Sequence, residues 1–248
     1  MLAIYKKELK SYFINPVGYV FAGIFLAFCA IACGYTTLFS GSYDTSMYFT
    51  LIIFSMVILI PLLTMRLFAE EIKMRTEQLL LTAPVTITGM VLGKFFAAFT
   101  MFVASVIISC VNFIPLYVIA SAERGAQSYT TVHIGPLTSA IIGSLIGIIL
   151  IGAAFIAIGM FISSLTENQL AAAIITVAII VAMLLLNLIN GSIENYAVRF
   201  VIDWICFISR FAPFASGMFD PAALLYYLSI TAVFLLLTVR VYDKRRWG

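Results

Sequence analysis

The placement of the charged residues constrains this chain more than any other feature. Asp, Glu, Lys and Arg are absent from residues 11–43, 45–65, 95–122, 125–166, 168–193 and 221–239. Even the shortest of these stretches matches the roughly 19–20 residues that cross a hydrocarbon core at about 1.5 Å per residue. Lipid offers the backbone no hydrogen-bonding partner, so each stretch must satisfy its own N–H and C=O groups as a helix. The alternation of a membrane β-barrel is missing, because stretches such as Ala140–Ile162 are continuously apolar. The expected fold is all-α: a polytopic membrane protein with six transmembrane helices at about residues 17–39, 47–67, 89–120, 136–163, 170–190 and 221–240. Only 10% of the residues are charged, against about 25% in soluble domains. The polar connections are too short to fold alone, so residues 1–248 are read as a single membrane domain. The apolar run Val17–Phe39 exceeds the roughly 7–15-residue core of a signal peptide and is read as an uncleaved first span.

The basic residues set the expected orientation. Lys6, Lys7 and Lys10 precede span 1; Arg66, Lys73, Arg75 and Lys94 lie between spans 2 and 3; Arg240, Lys244, Arg245 and Arg246 follow span 6. If the spans alternate, all of these share one side, and only Arg124, Arg199 and Arg210 fall opposite. The positive-inside rule then places both termini in the cytoplasm, with the chain in the cell membrane. Small basic groups beside a span act as topology signals, so the lipid bilayer is an expected partner and nucleic acid is not.

Between the spans, Leu2, Tyr5, Leu9 and Tyr12 or Phe13 recur at helical spacing, with Lys6, Lys7 and Lys10 elsewhere on the wheel. That pattern fits a helix in the cytoplasmic interface, which Asn15-Pro16 would end. Lys94 lies near the cytoplasmic end of span 3, where a long side chain can reach the headgroups. In span 4, Ser139, Gly143 and Gly147 form a face of small side chains on which another helix can pack closely. Its partner is either another span or a second copy of the chain. Residues 191–220 are too charged to span and too apolar for a solvated loop, and are read as interfacial or re-entrant helices on the outer side. There Arg199 and Asp203 are spaced to pair on one helical face, and Arg210 follows. Asp220-Pro221 then supplies an N-cap acid and a first-turn proline for span 6.

Residues able to do chemistry are few. His133 has neither a second histidine nor a base near it, and Cys29, Cys33, Cys110 and Cys206 sit in apolar runs without further ligands. A Walker-type glycine loop is missing, and no acid lies in any of the charge-free stretches. Ionisable groups at mid-membrane are kept for ion coupling or intramembrane catalysis. No catalytic, cofactor-binding or metal site is therefore expected, and any uphill work must draw its energy from another chain.

The segment from Ala69 to Lys94, AEEIKMRTEQLLLTAPVTITGMVLGK, is the most informative. Glu70–Lys73 and Glu71–Arg75 are spaced for helical ion pairs; Leu79, Leu80 and Leu81 make an apolar ridge; Pro84 ends the helix. A cytoplasmic helix this apolar is expected to dock on a protein or on the membrane.

Around these residues the chain resembles the type-2 ABC exporter permeases, and within them the gliding-motility-associated subgroup. The resemblance rests on Ile4–Leu9 followed by Asn15–Tyr19, and on Pro61–Met65 leading into Arg66. It continues through Glu70, Glu71, Arg75, Thr76, Glu77, Leu79–Thr82, Pro84 and Leu92–Phe95, then Ser163–Gln169, and Phe214 to Ser229. It implies an N-terminal elbow helix and a cytoplasmic coupling helix between spans 2 and 3, with residues about 70–83 docking in an ATPase cleft. Thr166, Glu167, Asn168 and Gln169 would make a second, smaller contact. Implied partners are cytoplasmic ATP-binding subunits, which would hold ATP and Mg, a second permease copy or paralogue, and a membrane-anchored auxiliary protein with an extracytoplasmic domain. The expected function is a permease subunit of an ATP-driven exporter; the alternative is a membrane component of an ATPase-linked assembly or signalling complex.

Overall fold

The protein is described by a computed structural model over residues 1–76, 86–126, 135–190 and 206–247. The described residues form helices: α1 (Leu2–Ile14), α2 (Pro16–Cys33), α3 (Ser46–Thr64), α4 (Ala69–Lys73) and α5 (Ile87–Ser109), then α6 (Phe113–Ala126), α7 (Thr138–Leu165), α8 (Gln169–Asn190), α9 (Phe207–Ala215) and α10 (Pro221–Trp247). Among the described residues, six helical stretches are long and apolar enough to cross a membrane: Pro16–Leu38, Ser46–Lys73, Ile87–Ala122, Thr138–Leu165, Gln169–Leu186 and Pro221–Arg246. The chain is an all-helical multi-pass membrane protein.

Local chemistry explains the helix boundaries. Asn15 is extended (φ −83°, ψ 145°) because the following proline excludes the α conformation, and Pro16 then opens α2. Gly18 lets α2 begin hard against α1, since a Cβ there would collide with the Tyr12 carbonyl oxygen. Tyr5, Leu9 and Tyr12 of α1 pack on the core, whereas Leu2 and Phe13 are exposed. Beyond Cys33 the helix widens into a π-turn, Gly34–Leu38. Span 3, expected as one helix, is two helices joined by a 3₁₀ turn at Cys110–Asn112. Pro115 has no N–H to offer the Val111 carbonyl four residues back and its ring crowds that turn, so the chain tightens there.

The central element is α7, which packs against α3, α5, α8, α9 and α10. In its most apolar stretch 72% of residues are buried, against 22% for the span made by α8. The Ser139–Gly143–Gly147 face takes α9 of the same chain: a Cβ on Gly143 would lie 2.5 Å from the Phe214 carbonyl oxygen, and one on Gly147 would lie 2.8 Å from the Phe211 ring. The other end of α7 crosses α3, where a Cβ on Gly159 would collide with Thr64 Oγ1. α10 starts where the Asp220 carboxylate accepts a hydrogen bond from the Ala222 N–H at 2.9 Å.

Candidate functional site

The site forms where the chain leaves α3. A short helix has more unsatisfied N–H groups than local residues can meet. For α4 they are met from another helix: the Phe68 and Ala69 N–H groups donate to Ser163 Oγ of α7 at 3.2 and 3.1 Å. The Ser163 hydroxyl itself donates to the Met65 carbonyl at 3.1 Å, so it is fully used. α4 also packs against both α7 and α8, the two helices joined by the turn at residues 166–168.

Lys94 of α5 points into this junction. Its Nζ donates to Glu71 Oε1 at 2.7 Å, to the Leu67 carbonyl at 2.7 Å and to Glu8 Oε1 at 3.4 Å. Only 1% of the lysine side chain is exposed, against 16% for Glu71 and 14% for Glu8. The headgroup position expected for Lys94 is thus corrected: two carboxylates and a carbonyl replace the water that a snorkelling ammonium would seek. Phe68 adds a ring face 5.0 Å from Nζ and sits 4.7 Å from the Tyr242 ring. Arg245 lies 5.5 Å from Tyr242 and donates to the Ser164 carbonyl at 2.8 Å. Tyr12 of α1 donates to the Leu63 carbonyl at 3.2 Å, and burial holds its phenol protonated far above the ordinary value.

The ion pairs expected along a coupling helix are replaced. Glu70 accepts both branches of Arg66 at 2.8 Å, and Glu71 pairs with Lys94 rather than Arg75. The helix ends too early for the expected pairing. Arg75 is left-handed (φ 55°), its N–H donates to the Ile72 carbonyl at 3.1 Å, and the Thr76 N–H donates to the Glu71 carbonyl at 3.0 Å. Those two bonds form a Schellman stop, with arginine where glycine is usual. Lys73, Met74, Arg75 and Thr76 are exposed beyond it. Glu77, Leu79, Leu80, Leu81 and Pro84 lie outside the described residues, as do His133, Arg199 and Asp203.

At the neighbouring turn, Thr166 Oγ1 donates to the Ile162 carbonyl at 3.2 Å. Asn168 Oδ1 accepts from the Leu170 N–H at 3.0 Å, which leaves Glu167 exposed and starts α8 at Gln169. At the far end of the bundle, Arg210 lies on α9 and Asp220 caps α10. Among the described residues, no group of three or more His, Cys, Asp or Glu is placed to hold a metal ion. The junction joins α1, α3, α4, α5, α7 and α10 through charge, ring and backbone contacts, which suits it to carry displacement.

A model of the family described as ABC-2 family transporter protein matches residues 7–184, well over half of the chain. The chain belongs to that family. No curated protein matches it. The matched part of this ABC-2 protein holds Glu8, Glu71, Lys94, Ser163 and the 166–168 turn, and it stops short of α9 and α10, which bring Arg210, Tyr242 and Arg245. The ABC-2 family places the chain among the membrane components of ABC transporters. Sequence reasoning passed over Glu8, Phe68, Tyr242 and the role of Ser163. A signal for one of them was present: Glu8 is the only acid before Asp44, and Lys94 is the only charged residue between Glu77 and Glu123. Lys94, an isolated base in an apolar stretch, is a candidate to draw in a distant acid, although Glu8 also has Lys7 beside it at 3.8 Å.

Proposed function

We propose that this ABC-2 protein is the permease subunit of an ATP-driven exporter, a single membrane domain over residues 1–248 with both termini in the cytoplasm of the cell membrane. The observation that carries this reading is the anchoring of the exposed 73–76 tip: through α4 it is fixed to Ser163, Lys94 and Glu8, that is, to three other helices. ATP and Mg reside in separate ATP-binding subunits, and the permease itself catalyses nothing. Closure of those subunits acts on residues 70–83, including Glu77 and the Leu79–Leu81 ridge, on Pro84 that ends them, and on Thr166, Glu167, Asn168 and Gln169. The working unit pairs the permease with a second copy or a paralogue, together with an auxiliary protein bearing an extracytoplasmic domain, in the manner of the gliding-motility-associated subgroup.

The test uses Thr76→Cys in a chain whose own cysteines are replaced. A membrane-impermeant maleimide labels it only after the cells are opened. Labelling from outside intact cells would place the tip on the wrong face and end the coupling reading.

A further inference from the structure

The amphipathic helix α9 lays Phe207, Phe211 and Phe214 inward, at 0%, 3% and 0% exposure, and carries Arg210 toward α10. Tyr227 fixes this arrangement by donating from its hydroxyl to the Phe207 carbonyl at 2.6 Å. Arg210, Ala222, Leu225, Tyr226 and Ser229 line a groove of about 390 Å³ between the two helices. The groove lies about 24 Å along α10 from the Tyr242 junction, at about 1.5 Å per residue, and has no part in the coupling site. Leu225 and Leu228, 66% and 47% exposed, form the outer surface of the single chain beside it.

Among the described residues, Arg210 is the charged group of the groove. The Arg210 guanidinium carbon lies 5.9 Å from the Tyr226 ring, and among the described residues no carboxylate is within ion-pair distance of it. A half-buried guanidinium on an apolar surface favours an anion that its planar fork can grip with two N–H groups. Tyr226 stands about 7.5 Å into the helix from Pro221, at about 1.5 Å per residue. The headgroup layer occupies roughly 5–7 Å on each side of the hydrocarbon core. With Pro221 at the outer edge of that layer, Arg210 beside Tyr226 lies at the boundary between headgroups and chains, where the available anion is a lipid phosphate. We propose that the groove holds one phospholipid, its phosphate on Arg210 and an acyl chain along Ala222 and Leu225. This assignment does not depend on the direction of transport or on the partner subunits.

The test is native mass spectrometry of the full chain titrated with phosphatidylglycerol, comparing wild type with Arg210→Gln and Leu225→Trp. The wild type is expected to retain one tightly bound lipid more than either variant. Losing a charge-assisted hydrogen-bond pair should weaken that site about tenfold or more. Diacylglycerol, which lacks the phosphate, and glycerol 3-phosphate, which lacks the chains, should both fail to displace it. Equal retention by all three proteins overturns the proposal. Displacement by diacylglycerol would mean an apolar occupant with no need of phosphate, and displacement by glycerol 3-phosphate a free-phosphate site; either overturns it too. Should Arg210→Gln fail to fold, Leu225→Trp, at an exposed position, decides alone.

Discussion

Lys94 Nζ lies 2.7 Å from Glu71 Oε1, an ion pair whose ammonium is buried near the end of a membrane helix. Breaking a buried pair from one side leaves an uncompensated charge and costs about 3–5 kcal/mol, whereas replacing both partners by apolar groups of similar shape is often neutral. Glu71→Gln should therefore destabilise the purified chain by about 3 kcal/mol, the low end of that range, because Glu8 remains 3.4 Å from the ammonium. Adding Lys94→Met removes the stranded ammonium but takes the donor from Glu8 and the Leu67 carbonyl, so it should restore only part of the loss. Thermal unfolding of the two variants checks this; a double variant weaker than Glu71→Gln contradicts the pairing.

Ser163 serves as an acceptor for two backbone N–H groups of another segment. Ser163→Ala leaves both without a partner, at a cost of about 1–3 kcal/mol. The loss should be local. Hydrogen exchange at residues 68–76 should quicken while the middle of α7 stays protected, and uniform exchange across both would show that the serine holds nothing in particular.

Gly143 and Gly147 face the same helix but different atoms. A methyl group at 143 meets the Phe214 backbone carbonyl, which cannot turn aside, whereas one at 147 meets the Phe211 ring, which can be shortened. Overpacking costs about 1–3 kcal/mol. Gly143→Ala should be the more damaging change, and Phe211→Leu should rescue Gly147→Ala but not Gly143→Ala. Unfolding midpoints of the four variants give the order.

Arg75 occupies a left-handed conformation that costs an ordinary residue about 1–2 kcal/mol. Arg75→Gly should stabilise the end of α4 by about 1 kcal/mol, read as slower exchange of the Thr76 amide. A β-branched replacement, Arg75→Val, should do the reverse.

Asp44, in the connection between α2 and α3, accepts hydrogen bonds from the Ser46 hydroxyl at 2.7 Å and the Ser46 N–H at 2.9 Å, and these hold its carboxyl below the ordinary range. A depressed folded-state value means the stabilisation is complete above the unfolded carboxylate value of about 3.9. It is lost as pH falls through the lower folded one. Exchange at the Ser46 amide should thus gain an acid-dependent opening below about pH 4, absent in Asp44→Asn.

The spans were legible because charge is so costly in lipid that its absence over about 20 residues admits few alternatives. Asn15-Pro16 and Asp220-Pro221 were legible for a comparable reason: proline acts on its immediate neighbours whatever the fold. The small face of α7 could be seen, but not its partner, since nothing in Ser139, Gly143 and Gly147 distinguishes α9 from a second chain. The junction was harder still. Glu8, Glu71 and Lys94 are far apart in the sequence, and the local rule for helical ion pairs gave Glu71 to Arg75. The Schellman stop at Arg75 and Thr76 ends the helix at Lys73, and Glu71 pairs across the bundle with Lys94 instead.

Ser163 and Ser164 are consecutive on α7, so they lie about 100° apart around its axis. The first is held by α4 and the second by Arg245 of α10. A pull on α4 against a fixed α10 would act on α7 away from its axis and would tend to turn it. About 30 Å along the same rod, Gly143 bears the Phe214 backbone with no clearance for a methyl group, so a rotation of α7 starting at Ser163 would press directly on α9.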